Sequence, residues 1–329
     1  SKDRLGIAAH SKYCAKRYLT PDPVLEGEAY LDRMVNVVAK ESIHVIFPMT
    51  EVSIHHLNSI RSRLPAGVIL ACPNREKMAA VSDKVRLFQL AERLDVPVPR
   101  TIYLPHHRCL KDYWDRIGPF PVVVKPALSK VPNDRNGFLS GGVRYASSLD
   151  ALQRIYGTSP VLQYPSMVQE KIVGPGTGLF TLFDGEKHLA LFSHRRLREK
   201  PPSGGVSVVS ESVPLDTEMV ACAAKLLSAV KFKGVAMVEF KRDLQDGKAK
   251  LMEINGRFWG TLQLAITCGV DFPSLYLDYL CDTPLPDSPP DYRIGHKMKW
   301  FFGTLDHLWI LLKTPEAKLN LPTGFPSRS

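Results

Sequence analysis

The sequence predicts a mixed α/β chain: a small parallel strand–helix unit followed by a larger α+β part rich in hairpins. Short apolar runs at 5–9, 44–48 and 68–71 alternate with stretches at 28–40 and 51–64 whose apolar residues recur at helical spacing. Beyond residue 80, apolar runs separated by Gly and Pro turns replace that alternation, as at 120–126, 139–145, 168–173, 179–184 and 189–193. At 329 residues the chain exceeds the roughly 100 to 200 of one domain, so two or three packed units are expected.

The first unit is taken as residues 1–78. No Gly-x-Gly-x-x-Gly motif opens it, so nothing supports dinucleotide binding. Because the sequence begins almost on a strand, a truncated unit, short of one strand and one helix, is the expectation.

The central part, 79–285, is divided at 167/168. Ser82 or Asp83 caps a helix over 85–94, whose Leu87, Leu90, Ala91 and Leu94 form one stripe. Lys84 in its first turn opposes the helix dipole unless an anion sits beside it. The buried-type strand at 120–126 runs into Lys125, a charge too costly to bury alone, so it too points to an anion. Ser140-Gly141-Gly142 then enters another strand; glycines there let backbone N–H groups crowd a phosphate, and a plain hairpin turn fits as well. Glu170-Lys171-Ile172-Val173 closes a strand ahead of the flexible run Gly174-Pro175-Gly176-Thr177-Gly178. A basic cluster at 194–200, including Arg195 and Arg198, precedes the Pro- and Gly-rich 201–205, which reads as a mobile loop suited to closing over charged reactants. Residues 217–230 read as a helix.

The densest chemistry follows. Val235-Ala236-Met237-Val238-Glu239-Phe240 and Leu251-Met252-Glu253-Ile254-Asn255 are strands, and Asp246-Gly247 between them is a hairpin signal. Side chains alternate along a strand, so Glu253, Asn255 and Arg257 share a face if the extended geometry reaches Arg257. The hairpin would bring Glu239 beside them. Two carboxylates and an amide oxygen suffice for Mg²⁺, which keeps the rest of its octahedron for water and nucleotide phosphate.

The residues also limit the partners. Hydrophobic content of 44% and charged content of 23% are ordinary for a globular protein, and no run of about 18 apolar residues marks a membrane span. Six scattered cysteines without a Cys-x-x-Cys pair read as reduced thiols in a cytoplasmic protein, not as zinc ligands. A net charge of +10 attracts anions. Zinc-finger spacing, RNA-binding aromatic signatures and dense Lys/Arg runs are absent from the sequence, so nucleic acid is not the expected partner. A Pro-rich linker over 284–290 leads from the central part into the last segment, 286–329. A helix then carries Phe301, Leu305, Leu308, Trp309 and Leu312 on one face between lysines, and 296–313 reads as a packing or dimer contact or an interfacial membrane anchor.

Taken in order, Lys84, Lys125 with its Gly-Gly loop, Glu170-Lys171, the Arg-rich Pro-Gly-Gly loop, Glu239 and Glu253-Ile254-Asn255-x-Arg257 resemble the ATP-grasp superfamily. They look most like its carboxylate–amine ligase and carbamoyl-phosphate-synthase-like branches. The resemblance covers about residues 1–285, and the first unit looks like a pre-ATP-grasp domain. It implies an ATP-grasp fold in which Lys84 and Lys125 hold the α and β phosphates and Ser140, Gly141 and Gly142 cover them. It also implies that Glu170, Lys171, Ile172 and Val173 form the hinge edge at adenine, with Glu239, Glu253 and Asn255 binding Mg²⁺ or Mn²⁺. Arg257, with Arg195 or Arg198, would steady the reacting phosphate or oxyanion. The implied activity uses ATP to activate a small carboxylate as an acyl phosphate and joins it to an amine. Phosphoryl transfer to carbamate and a non-catalytic ATP-binding module are the alternatives.

Overall fold

The computed structural model describes residues 2, 6–132, 138–202 and 205–314. In the first unit, α1 (Gly27–Lys40), β1 (Val45–Ile46), α2 (Glu51–Ser59), β2 (Ile69–Leu70) and α3 (Arg75–Ser82) follow one another, and β1 and β2 pair in parallel. The strand expected over 5–9 does not form where it is described: Ile7–His10 is a 3₁₀ turn. Ala8 and Ala9 favour helical backbone over strand. α2 begins in a reciprocal cap in which Thr50 accepts from the Ser53 N–H and Ser53 Oγ accepts from the Thr50 N–H. It ends at Ser59 rather than at 64, and after one 3₁₀ turn over Arg61–Arg63 the chain is extended at Leu64, ahead of Pro65. α3 has no counterpart in the sequence reading. Asn74 caps it and Ser82 is its last residue, leaving Asp83 to cap the next helix by accepting from the Arg86 N–H at 3.2 Å.

That helix, α4 (Lys84–Arg93), buries Leu87, Phe88 and Ala91 completely. It leads into a lobe made of β3 (Thr101–Leu104), β4 (Val122–Pro126), β5 (Lys130–Pro132), β6 (Phe138–Ser140), β7 (Arg144–Ala146), α5 (Leu149–Thr158) and β8 (Ser166–Glu170). Four strands form an antiparallel sheet in the order β3-β8-β4-β7, and β5 and β6 form a separate hairpin. Leu104, Val124, Leu152 and Leu162 fill the core of this lobe.

The second lobe comprises β9 (Gly176–Phe183), β10 (His188–Lys200), β11 (Val206–Ser212), α6 (Thr217–Ala229), β12 (Gly234–Arg242), β13 (Ala249–Asn255), α7 (Leu262–Cys268), α8 (Phe272–Leu280), β14 (Lys297–Lys299) and α9 (Phe301–Lys313). Its six strands run β13-β12-β9-β10-β11-β14 with every neighbour antiparallel. Apolar residues of α6, α4 and the first unit cover one face through Leu226, Phe240 and Leu251; α7 and α8 cover the other through Leu264 and Phe272 on Phe180 and Phe192. One expectation fails here. The basic cluster at 194–200 is not in a loop: β10 runs straight through it, paired with β11 to Lys200↔Val206. The chain beyond the Pro-rich segment packs on the second lobe, since β14 pairs with β11 at the sheet edge and Gly303, Thr304 and His307 of α9 are buried. The stripe Phe301, Leu305, Leu308, Trp309 and Leu312 faces solvent.

Candidate active site

The β12–β13 hairpin sets the geometry. Register places Glu239 directly opposite Glu253, and the turn closes at Gly247, in the left-handed region at φ +72°, where the Lys248 N–H donates to Asp246 Oδ1. The strand ends at Asn255, whose Nδ2 donates to Glu253 Oε1 at 2.9 Å. Gly256 then admits a close approach, because a Cβ there would lie 3.0 Å from Met78 Sδ and 3.1 Å from the Phe232 ring. Arg257 therefore lies beyond the strand rather than on its alternation. It still joins the site by donating to the Phe258 carbonyl at 3.0 Å and to Asn255 Oδ1 at 3.4 Å, with Glu51 at 3.8 Å.

Two lysines from the first lobe face these carboxylates. Lys84, buried at the start of α4, donates to Ser129 Oγ at 2.9 Å and lies 3.5 Å from Glu253 Oε2. Lys125, at the penultimate position of β4, is buried with its Nζ 5.8 Å over the Phe88 ring. Among the described residues it makes no ion pair within 4.0 Å. Burial pulls its ammonium down to about 8, with Lys84 and Lys241 adding to the effect and Glu253 and Glu239 opposing it. The two glutamates split in opposite directions. Burial pushes Glu239 up, reinforced by Glu253 and opposed by Arg196. Burial would push Glu253 up too, but Lys84, the Asn255 amide and Lys125 outweigh it and hold Glu253 below the usual carboxylate range.

Arg196 is the residue that the sequence reading missed. Its guanidinium is ion-paired with Glu239 and lies 3.3 Å from Glu199 Oε1, and both the Arg196 and Glu239 side chains are about seven-eighths buried, with 13% exposed. Arg195 and Arg198, expected at the site, are exposed; Arg195 pairs with Glu211 at 2.6 Å on the other side of β10. Strand alternation explains this: buried His194 fixes the inner face, so Arg196 is inside and Arg195 outside. Irregular pairing around Arg198 then turns Glu199 back toward Arg196, against simple alternation.

The remaining expected residues are placed as follows. Ser140 Oγ accepts from Lys130 Nζ at 2.6 Å, and Gly141 donates its N–H to the Ser129 carbonyl at 3.2 Å. A Cβ on Gly141 would lie 2.5 Å from Val161, so close packing alone demands glycine there; Gly142 has open space. Glu170 Oε1 accepts from the Arg100 N–H at 2.9 Å and from Lys250 at 3.1 Å, which ties the first lobe to β13. Lys171 Nζ lies 5.8 Å over the Tyr145 ring, Ile172 is buried, and the Val173 carbonyl accepts from the Leu244 N–H at 3.0 Å.

A cavity of about 430 Å³ opens where the three parts meet, walled by residues 49–52, Ser129 and Lys130, and Glu253, Asn255 and Arg257. That is within the usual range for small-molecule sites. Among the described residues no group of three His, Cys, Asp or Glu is placed to hold a metal ion. The paired carboxylates and the Asn255 oxygen are hard donors, and Arg196 and Lys84 already bring positive charge to them, so the set fits a Mg²⁺ or Mn²⁺ ion that shares its coordination with phosphate and water.

Residues 184–301 match the family described as "ATP-grasp in the biosynthetic pathway with Ter operon". A pyruvate carboxylase from Aspergillus niger is 25% identical over 247 residues, covering 70% of this chain and 20% of that protein. Among solved structures, the biotin carboxylase domain dimer of Hydrogenobacter thermophilus 2-oxoglutarate carboxylase, in complex with MgADP, ADP and bicarbonate, superposes with a TM-score of 0.67 at 17% identity, covering 88% of this chain and 66% of that one. An L-amino acid ligase from Bacillus licheniformis gives 0.55 at 17% identity, covering 79% and 62%. The chain thus spans about a fifth of its curated relative and about two thirds of the solved chains. Its paired antiparallel lobes and its facing carboxylates and lysines thus accompany a match of residues 184–301 to an ATP-grasp family and a likeness in fold to these solved structures.

Proposed function

We propose that this chain is an ATP-dependent, ADP-forming ligase that activates a small carboxylate as an acyl phosphate and joins it to an amine. The observation that carries this reading is the direct pairing of Glu239 with Glu253 across the hairpin, with buried Lys84 and Lys125 facing them and a cavity opening beside them. Glu239, Glu253 and the Asn255 oxygen would hold Mg²⁺, which when bound screens the phosphate charge. Lys84 and Lys125 bind the phosphate tail. Lys130, at the start of β5, lines the cavity and would shield the reacting groups from water.

A carboxylate oxygen attacks the γ-phosphorus, the bond to the β-phosphate oxygen breaks, and ADP leaves. The amine nitrogen then bonds to the acyl carbon, phosphate departs with its oxygen, and the nitrogen loses its extra proton. Charge accumulates on the phosphoryl group and then on the acyl oxygen, and fixed cations lower both barriers. Arg257, at the cavity wall, suits the acyl oxygen; Arg196, deep beside Glu239, suits the phosphoryl side. The six unpaired cysteines favour a cytoplasmic setting, and no described helix is long and apolar enough to cross a membrane. The solvent-facing stripe of α9 fits contact with a second copy or with a membrane surface. Sedimentation velocity and liposome co-sedimentation, with and without residues 296–329, separate the two.

The central test is hydroxylamine trapping in the presence of MgATP and a panel of amino acids, other small acids and bicarbonate. Hydroxamate together with ADP is expected for at least one acid. ADP release without hydroxamate from any acid would instead indicate phosphate transfer to carbamate or another acceptor. Tight ATP binding with no turnover would refute the enzyme reading.

A further inference from the structure

The C-terminal helix lies outside every motif in the sequence, yet it is bonded to the strand that carries Arg196. His307 of α9 is buried, and its Nδ1 lies 2.5 Å from the Glu199 backbone carbonyl. A carbonyl only accepts, so this ring nitrogen carries the proton. One residue away, Lys200 is ion-paired with Asp306 and its Nζ lies 5.5 Å over the Trp300 ring. Trp300 in turn donates its N–H to the Val208 carbonyl of β11 at 2.8 Å. α9 therefore grips both sides of the turn that joins β10 to β11. Gly303 lets the Trp300 indole fold back over the first turn of α9, where a Cβ would come within 2.2 Å of a ring carbon.

Glu199 transmits this grip inward. While its carbonyl is held by His307, its carboxylate accepts from the Gly205 N–H at 2.9 Å through Oε2 and from Arg196 at 3.3 Å through Oε1. Arg196 also donates to the Gly205 carbonyl at 3.3 Å, and its other terminal nitrogen reaches Glu239. A continuous line of contacts therefore runs from His307 through Glu199 and Arg196 to Glu239. The irregular pairing of β10 makes this line possible, because an unbroken strand would turn Glu199 away from Arg196.

We propose that His307 and Glu199 are positioning residues for the metal-side carboxylate: α9 fixes the end of β10 so that Glu199 holds the Arg196 guanidinium on Glu239. The proposal rests on the reading of Glu239 and Glu253 as metal ligands. Outer-shell partners of this kind typically change metal affinity by about 10- to 100-fold when removed. A helix that only adds stability would change the melting temperature and leave metal affinity alone.

The experiment uses the full chain and its Mg²⁺-dependent ADP release with the acid panel described above, with melting temperatures measured in parallel. His307→Ala is expected to raise the Mg²⁺ concentration for half-maximal rate about tenfold or more. Glu199→Gln is expected to act in the same direction. His307→Asn, whose amide N–H can still donate to the Glu199 carbonyl, is expected to restore most of the affinity. A His307→Ala variant that melts lower but keeps the wild-type Mg²⁺ dependence overturns the proposal alone, as does equal loss in His307→Ala and His307→Asn. If His307→Ala does not fold, Glu199→Gln decides by the same criterion. Wild-type ADP release that is indifferent to Mg²⁺ overturns the metal reading itself, and the proposal with it.

Discussion

Lys125 offers the sharpest quantitative prediction. Its ammonium is buried on an apolar strand, and burial moves it from an ordinary value of 10.5 down to about 8. A shift of that size corresponds to about 3 kcal/mol held against the charged form in the nucleotide-free site. A polyphosphate placed beside Nζ reverses the preference, because the charged form then gains an anion. The sign follows. Below about pH 8 Lys125 is already charged and binding is strongest; as pH rises through 8, binding must first recover a proton and affinity falls. Between pH 7.5 and 9, where the nucleotide has already lost its last phosphate proton, the dissociation constant of a non-hydrolysable MgATP analogue should rise about eightfold. Calorimetry in two buffers of different ionisation enthalpy should show proton uptake of about a quarter per nucleotide at pH 7.5 and about nine tenths at pH 9. Lys125→Arg, charged throughout, should flatten the profile, and Lys125→Met should bind weakly with little slope. Lys241 is also lowered by burial, so the variants decide which group titrates. An unchanged slope in Lys125→Met would refute the assignment of Lys125 to the phosphate tail.

Three other outcomes follow from particular contacts. Glu253→Gln removes a charged donor while keeping its shape, and Mg²⁺-dependent ADP release should fall at least about 100-fold with little change in melting temperature; unaltered release would sink the metal assignment. Arg196→Leu strands the Glu239 carboxylate next to Glu253 in a site where both partners of the original ion pair are largely buried, a loss typically of about 3–5 kcal/mol. Denaturant unfolding should record it, and millimolar Mg²⁺ should recover part of it by binding only the folded state. Gly174→Ala should destabilise by about 1–3 kcal/mol, since the new Cβ would lie 1.8 Å from the Arg242 carbonyl oxygen and the backbone between the lobes must shift. Unfolding midpoints equal to wild type would contradict that steric reading.

The residues that the sequence revealed and those it hid differ in a physical way. Glu239, Glu253 and Asn255 were legible because a two-stranded ribbon has one period and one turn: Asp246-Gly247 fixes the fold-back, and counting by twos does the rest. Lys84 and Lys125 were legible as charges in places that charges avoid, a helix start and a run of valines. Arg196 could have been found the same way. Counting by twos from the apolar Ala190-Leu191-Phe192 run puts His194 and Arg196 on the face of Phe192, but the density of positive charge suggested a loop and hid the alternation. β14 was hidden for a different reason: three residues, Lys297–Lys299, carry no periodicity, and only the free edge of β11 recruits them.

The same distinction explains why α9 was legible as a helix while the side on which it packs within this chain was not. The periodicity of Phe301, Leu305, Leu308, Trp309 and Leu312 is real, but the helix packs on its narrow side, through Gly303, Thr304 and His307. An apolar stripe measures what a helix could bury against some partner; it does not measure what this chain provides. Here the sheet presents the polar end of β10, with the Glu199 carbonyl and the Lys200 ammonium, so a histidine and an aspartate determine how α9 docks. If that reasoning holds, replacing Leu308 or Leu312 by Ser should leave the unfolding free energy of the chain within about 0.5 kcal/mol of wild type, as expected for exposed positions. His307→Ala should lower it measurably, because the Glu199 carbonyl loses its donor in a buried setting. The opposite ranking would mean that the apolar stripe holds α9 in place after all, and that its bonds to β10 are incidental.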